Sequence, residues 1–222
     1  VPQLLTNHAE NFLWAAGILD GMGYREVNLN LGCPSGTVTA KKKGAGQLAD
    51  VAALDRFLDT VFKASPLAVS IKTRIGVADP AEFPAILAVF CKYPLAELII
   101  HARLRNDFYQ GTPRLDAFQA ALAQCPFPVC YNGDLLTPGD VQRVSAQFPG
   151  VPALMLGRGA AVNPGLFREL RGQARVSKDE IQAFHALLYQ GYRSRFSGER
   201  AVLCRMKEHW SYLIQIFADH AR

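Results

Sequence analysis

The stretch Glu26-Val27-Asn28-Leu29-Asn30-Leu31-Gly32-Cys33-Pro34 reads as a short strand that runs directly into a rigid turn. Val27, Leu29 and Leu31 alternate with Asn28 and Asn30, so the two amides share one side of the strand and the aliphatic groups the other. Two amides on one face of a buried strand are costly unless polar partners meet them. Downstream, Asp50 caps a helix whose apolar residues Val51, Leu54, Phe57, Leu58, Val61 and Phe62 follow helical spacing. Ser65-Pro66 ends that helix, and Val69–Ile75 is the next strand. A strand, a crossover helix and a second strand make a βαβ unit, and that implies a parallel sheet.

The same rhythm extends in both directions. Upstream, Asn7 with Glu10 reads as a capping box for a helix through Ile18 and Leu19, preceded by a strand over Val1–Leu5. Downstream, Asp79-Pro80, Thr137-Pro138 and Asn163-Pro164 each open a helix, and a weaker helix covers about Leu115–Gln124. Leu98–His101, Phe127–Tyr131 and Ala153–Leu156 complete six strands. Polar or glycine residues mark their ends at Gln3, Asn30, Lys72, His101, Asn132 and Gly157, spaced 27, 42, 29, 31 and 25 residues apart. Two architectures fit, a doubly wound sheet and a (β/α)8 barrel. Past about Val176 the strands stop, and Lys178–Phe196 and Gly198–Arg222 read as helices of a small appendage.

The 222 residues carry a formal net charge of +5. Arg168–Arg222 holds ten Lys/Arg against six Asp/Glu, leaving fourteen against thirteen for the remainder. A basic tail on a near-neutral body suits a polyanion partner, and equally a solvated helical surface. The five cysteines are scattered and show no paired CxxC spacing, which points to a reducing compartment and away from a disulfide framework or a metal site. No apolar run approaches the roughly 18 residues needed to span a bilayer. The opening residues do not read as a signal peptide, so the expectation is a cytoplasmic protein without a membrane partner.

In a parallel α/β fold, chemistry collects at the C-terminal ends of the strands. Cys33, pinned between Gly32 and Pro34, has the rigid setting of a nucleophile or proton donor. Lys41-Lys42-Lys43 precedes the glycine-rich Gly44-Ala45-Gly46 turn and could meet phosphates. Lys72, inside Val69-Ser70-Ile71-Lys72-Thr73-Arg74, needs an anion if its strand is buried. His101 follows three apolar residues. Asn132-Gly133-Asp134 and Gly157-Arg158-Gly159 end the last two strands, where backbone amides could cradle a phosphate.

Read in order, Gln3, NLNLGCP, KGAG, SIKTRIG, IIHAR, YNGD and MLGRGA resemble the tRNA-dihydrouridine synthase family, whose pattern runs Asn-x-Gly-Cys-Pro, GAG, V-K-x-R-x-G, H-x-R, N-G-D/G and G-R-G/A. The match extends from Gln3 to Ala160, and Arg205–Leu213 resembles the family's Lys-x-x-Trp-x-Tyr-Leu helix.

The resemblance implies a TIM-type (β/α)8 barrel, with about six βα units visible over residues 1–174. An all-helical tRNA-binding domain would follow over residues 175–222. It implies flavin mononucleotide as cofactor and NADPH as reductant. Gln3, Asn30, Lys72 and His101 would face the flavin ring, and Asn132, Gly133, Asp134, Gly157 and Arg158 would hold its phosphate. Hydride would pass from the reduced flavin to C6 of a tRNA uridine, with Cys33 as the acid that protonates C5. Arg103 and Tyr109 would touch the base or its phosphate, and Lys41, Lys42, Lys43 and the basic tail would grip the tRNA backbone. The resemblance also implies two further strands ahead of Val1, the first with an Ala-Pro-Met motif on the flavin, so this chain alone is expected to bind flavin weakly or not at all. A flavin barrel acting on a free pyrimidine, and a non-catalytic RNA-binding fragment, are the alternative readings.

Overall fold

The computed structural model describes residues 1–218. In chain order the elements are β1 (Gln3–Leu4), α1 (Ala9–Gly21), β2 (Glu26–Leu31), α2 (Gly36–Thr39), α3 (Val51–Ala64), β3 (Ala68–Arg74), α4 (Phe83–Phe90), β4 (Leu98–His101), α5 (Leu115–Gln124), β5 (Val129–Asn132), α6 (Pro138–Gln147), β6 (Ala153–Met155), α7 (Arg158–Val162), α8 (Leu166–Leu170), α9 (Lys178–Arg193), α10 (Glu199–Leu213) and α11 (Gln215–Ala218). Short 3-10 turns at Gly44–Ala49 and Pro80–Glu82 precede α3 and α4. The chain divides into two compact units. The first comprises Val1–Gly133 and Phe148–Met155; the second comprises Asp134–Gln147 and Leu156–Arg222.

The first unit holds one six-stranded sheet in the order β1-β2-β3-β4-β5-β6, every neighbouring pair parallel. Strands that follow one another in both sequence and space are the topology of a (β/α)8 barrel, of which six units are present; a doubly wound sheet would reverse its strand order partway. Partners on adjacent parallel strands face the same side, so the register sorts the side chains. Gln3, Asn28, Asn30, Ser70, Lys72, Arg74, Ile99, His101, Cys130, Asn132 and Met155 share one face. Leu4, Val27, Leu29, Leu31, Val69, Ile71, Thr73, Leu98, Ile100, Val129, Tyr131 and Leu154 share the other. Helix α5 packs on the apolar face. Phe118 of α5 meets the Tyr131 ring edge-on at 5.0 Å and Phe148 at 5.0 Å.

Local chemistry sets most boundaries. The Asp50 carboxylate accepts from the Ala53 amide at 2.9 Å and starts α3. β5 begins one residue past a proline, because Pro128 has no N–H to give the ladder; its carbonyl still accepts from Leu98 at 2.9 Å. β3 stops at Arg74, before Ile75 and the glycine turn at Gly76. Two expected caps are corrected. The N-cap of α1 is His8, with no side-chain cap bond, and the Asn7 side chain instead donates from Nδ2 to the Lys41 carbonyl at 3.1 Å. Asn163-Pro164 does not open α8 directly: Asn163 Oδ1 accepts from the Gly165 amide at 2.9 Å, and the helix begins at Leu166.

The second unit is helical. In α9, Ser177 and Glu180 form a reciprocal capping box, and Glu180 also takes a two-pronged bond from Arg168 at 2.5 and 2.9 Å. Tyr192 on α9 lies 2.6 Å from His209 Nε2 on α10, and Ile181, Val202, Met206 and Leu213 are buried. The Arg205–Leu213 stretch lies within α10. Of the expected final helix, residues 219–222 lie outside the described residues. Among the described residues no helix is long and apolar enough to cross a membrane.

Candidate active site

Cys33 sits half-buried just past the end of β2, with its main chain held from two sides. Asn30 Oδ1 accepts from the Gly32 amide at 3.0 Å and the Cys33 amide at 2.9 Å, closing a turn over the strand end. The Cys33 carbonyl accepts from the Ala45 amide at 3.1 Å. Gly44 makes this approach possible. Its φ is +56°, and a Cβ there would lie 2.9 Å from the Cys33 oxygen and 3.0 Å from the Cys33 Cβ. The GAG turn is therefore a backrest for the cysteine.

The amides flagged in the sequence find one another. Asn30 Nδ2 donates to Gln3 Oε1 at 2.8 Å, Gln3 Nε2 donates to Asn28 Oδ1 at 2.8 Å, and Asn28 Nδ2 donates to Ser70 Oγ at 2.9 Å. The chain of bonds crosses β1, β2 and β3 and fixes which way every amide points. Lys72 lies beside Asn30 in register. Its ammonium is half-buried and has no hydrogen-bond or ion-pair partner among the described residues. Burial first, and the Arg74 guanidinium second, push its pKa down to about 8, while Cys130 acts weakly in the opposite sense.

His101 and Arg103 form a buried pair at the end of β4. The Arg103 guanidinium lies 3.1 Å from His101 Nε2. A guanidinium only donates, so Nε2 is the acceptor and the imidazole proton sits on Nδ1. Arg103, expected at the substrate, is 1 % exposed and also donates to the Gln110 and Gly111 carbonyls. Tyr109 is half exposed, with its ring 6.0 Å from His101 and 5.5 Å from the Arg74 guanidinium.

Asn132 closes the row on the polar face, its amide donating to the Met155 carbonyl at 2.8 Å. Gly133 has a φ of +145°, and a Cβ there would crowd Pro113, Tyr131 and His101 at 3.3–3.4 Å. The structure thus brings Gln3, Asn30, Lys72, His101 and Asn132 onto one face of one sheet. Within the second unit, Arg158 pairs with Asp134 at 2.7 Å, and Gly157 is the N-cap of the short helix α7. Lys41 and Lys42 are exposed and Lys43 is partly so, on the segment between α2 and the Gly44–Ala49 turn.

Sequence reasoning passed over Arg74 and Ser70. The signal was available, since both sit two residues from Lys72 and share its face by alternation. Arg74 is 1 % exposed and donates from Nε to the Gly32 carbonyl at 3.0 Å, and from its two terminal nitrogens to Leu104 at 2.8 Å and Phe108 at 2.7 Å.

A parallel barrel-type sheet with an apolar outer face, and a polar face carrying amides, a lysine and a histidine beside a strand-end cysteine, defines an α/β protein with a ligand site at the strand ends. The profile of the dihydrouridine synthases matches residues 1–217. The chain is 31 % identical over 150 residues to tRNA-dihydrouridine synthase B of Pseudomonas aeruginosa, covering 67 % of this chain and 45 % of that protein. It is 34 % identical over 179 residues to tRNA-dihydrouridine(16) synthase of Cupriavidus necator, covering 78 % and 54 %. It is 27 % identical over 217 residues to a probable tRNA-dihydrouridine synthase of Rhizobium leguminosarum, covering 97 % and 68 %. The chain belongs to the dihydrouridine synthase family. It spans about half the length of the Pseudomonas and Cupriavidus relatives.

Proposed function

We propose that the protein is a tRNA-dihydrouridine synthase, an oxidoreductase that reduces the C5–C6 double bond of a uridine in tRNA. The observation that carries this reading is Lys72. A half-buried ammonium with no partner among the described residues, beside Asn30 and in line with His101, asks for an anionic, flat, hydrogen-bonding ligand. The residue set fits flavin mononucleotide: a cation for the ring's electron-rich edge, ordered amides on Gln3 and Asn30, and the imidazole of His101 on the same face. Asn132 and Gly133, at the end of β5 in the first unit, are residues we assign to its phosphate. When bound and reduced by NADPH, the flavin supplies the hydride for C6.

The chain's own residues do the rest. Asn30 and the Gly44-Ala45 turn hold Cys33 so that its thiol delivers a proton to C5. Lys72 stays charged at neutral pH and balances negative charge gathered at its neighbour. Tyr109 offers an exposed ring against which a base that has left its stack can lie. Lys41, Lys42 and Lys43, with the basic residues of α9 and α10, are assigned to the tRNA backbone, where binding strength falls with salt. A cytoplasmic site of action belongs to this reading.

The test is to reduce the full-length protein with NADPH and add unmodified tRNA or free uridine. Dihydrouridine found by nucleoside mass spectrometry in the tRNA alone supports the reading. Reduction of free pyrimidine in preference to tRNA overturns it in favour of a small-molecule flavin barrel.

A further inference from the structure

Two buried arginines turn the loop after β4 inside out. Main-chain carbonyls of surface loops ordinarily face water, yet Leu104, Phe108, Gln110 and Gly111 direct theirs inward onto Arg74 and Arg103. The loop is further tied by Arg105 N–H to the Gly76 carbonyl at 2.8 Å and Asn106 N–H to Val77 at 3.0 Å. It ends on Arg114 N–H to Ala102 at 2.7 Å. Phe108 accepts a φ of +51°, a left-handed conformation that is costly for a bulky side chain unless its surroundings impose it. That conformation turns the Phe108 carbonyl onto Arg74 and leaves the next residue, Tyr109, with its ring 5.5 Å from the same guanidinium.

Arg74 has a second attachment. Its Nε holds the Gly32 carbonyl at 3.0 Å, and Gly32 immediately precedes Cys33. One rigid, planar, fully buried group therefore touches both the cysteine turn and the tyrosine loop. Lysine could not do this, because its ammonium is a single point on a flexible stem, whereas the guanidinium fork spans three carbonyls at fixed angles.

We propose that Arg74 is a positioning residue that fixes the separation between the Cys33 thiol and the Tyr109 ring, and so sets where the uracil C5 stands relative to its proton donor. The proposal rests on the functional reading above. A shift of about 1 Å in such a separation is worth up to about a hundredfold in rate.

The test uses the full-length, flavin-loaded protein with Arg74→Lys, Tyr109→Ala and the double variant. For Arg74→Lys, kcat on tRNA falls about tenfold or more while KM moves less than about threefold. Cys33 alkylation by iodoacetamide, which needs no substrate, speeds up at least about threefold in each single variant as the turn loosens. In the double variant it rises no further than in the faster single one, because both act through one group. Independent, multiplying effects on alkylation, or a loss confined to KM, overturn the proposal. If Arg74→Lys does not fold, an unchanged alkylation rate in Tyr109→Ala overturns it. A wild-type protein that leaves tRNA unreduced sinks the functional reading, and the alkylation arm still decides whether the clamp exists.

Discussion

The side-chain oxygen of Asn30 lies 2.9 Å from the amide nitrogen of Cys33 and accepts its hydrogen bond. The same amide group reaches back through Nδ2 to Gln3. The cysteine is thus coupled to a run of polar bonds that passes through β1 and ends at Ser70 on the neighbouring strand β3.

Asn30→Ala removes that oxygen and leaves two backbone amides without their acceptor. Stability should fall by about 1–3 kcal/mol, the cost of unsatisfied part-buried donors. Turnover in the full-length protein should fall by more than the residual folding explains, since the thiol loses its fixed direction. Equilibrium unfolding and single-turnover reduction of tRNA, run side by side, check this. A variant that melts early but turns over normally when folded would show that Asn30 serves stability alone.

Lys72 gives a pH signature whose sign is fixed. Its pKa is about 8 in the folded chain, against 10.5 as an ordinary lysine. Between these values the unfolded chain holds a proton that the folded chain has released, so folding stability rises with pH across this window. Below about pH 8 both states are protonated and the burial penalty stands in full. The rise should amount to about 1–3 kcal/mol and be absent from Lys72→Met, as read by urea unfolding at a series of pH values. In the full-length protein, flavin affinity should weaken above about pH 8 and lose that dependence in the same variant. Parallel pH profiles for the two proteins would remove Lys72 from the ligand site.

Gly44→Ala pushes a methyl group against the Cys33 carbonyl in a backbone conformation that L-residues avoid. A loss of about 1–3 kcal/mol is expected from the strain. Because the obstacle is Cys33 itself, the rate of its alkylation should change as well. Fluorescence-monitored unfolding with timed iodoacetamide labelling tests both effects, and an alanine variant that labels like the parent would mean that the GAG turn does not support the thiol.

Phe118 probes the other face of the sheet. It is fully buried, edge-on to both Tyr131 and Phe148. Phe118→Ala should cost about 3–5 kcal/mol through lost contact and the cavity left behind. The polar face is untouched, so any folded fraction should label at Cys33 normally. A loss below about 1 kcal/mol would mean that the core there collapses readily.

Strand positions, parallel pairing and the shared face of Asn28 and Asn30 were legible in the chain, because alternation and βαβ spacing are local properties; the spatial order of the strands, which separates a barrel from a doubly wound sheet, was not. EVNLNL and LIIH match their strands residue for residue. Asp50 caps its helix as its position implied. Asn7 did not: its side-chain nitrogen donates to the Lys41 carbonyl 34 residues away, and its oxygen accepts no helix-start amide. Nothing in a linear reading ranks these partners.

The sequence by itself determined that amides, a lysine and a histidine would line one side of a parallel sheet with a cysteine at a strand end, since side-chain direction in a strand has a period of two. Only the tertiary structure decided which donors were already used. Arg103 reads as a surface contact and lies buried against its own loop; Arg74 reads as a strand residue and joins two loops that are about 75 residues apart in the chain. The physical reason is that a guanidinium's role depends on which carbonyls converge on it, and that convergence exists only once β2, β3 and β4 lie side by side.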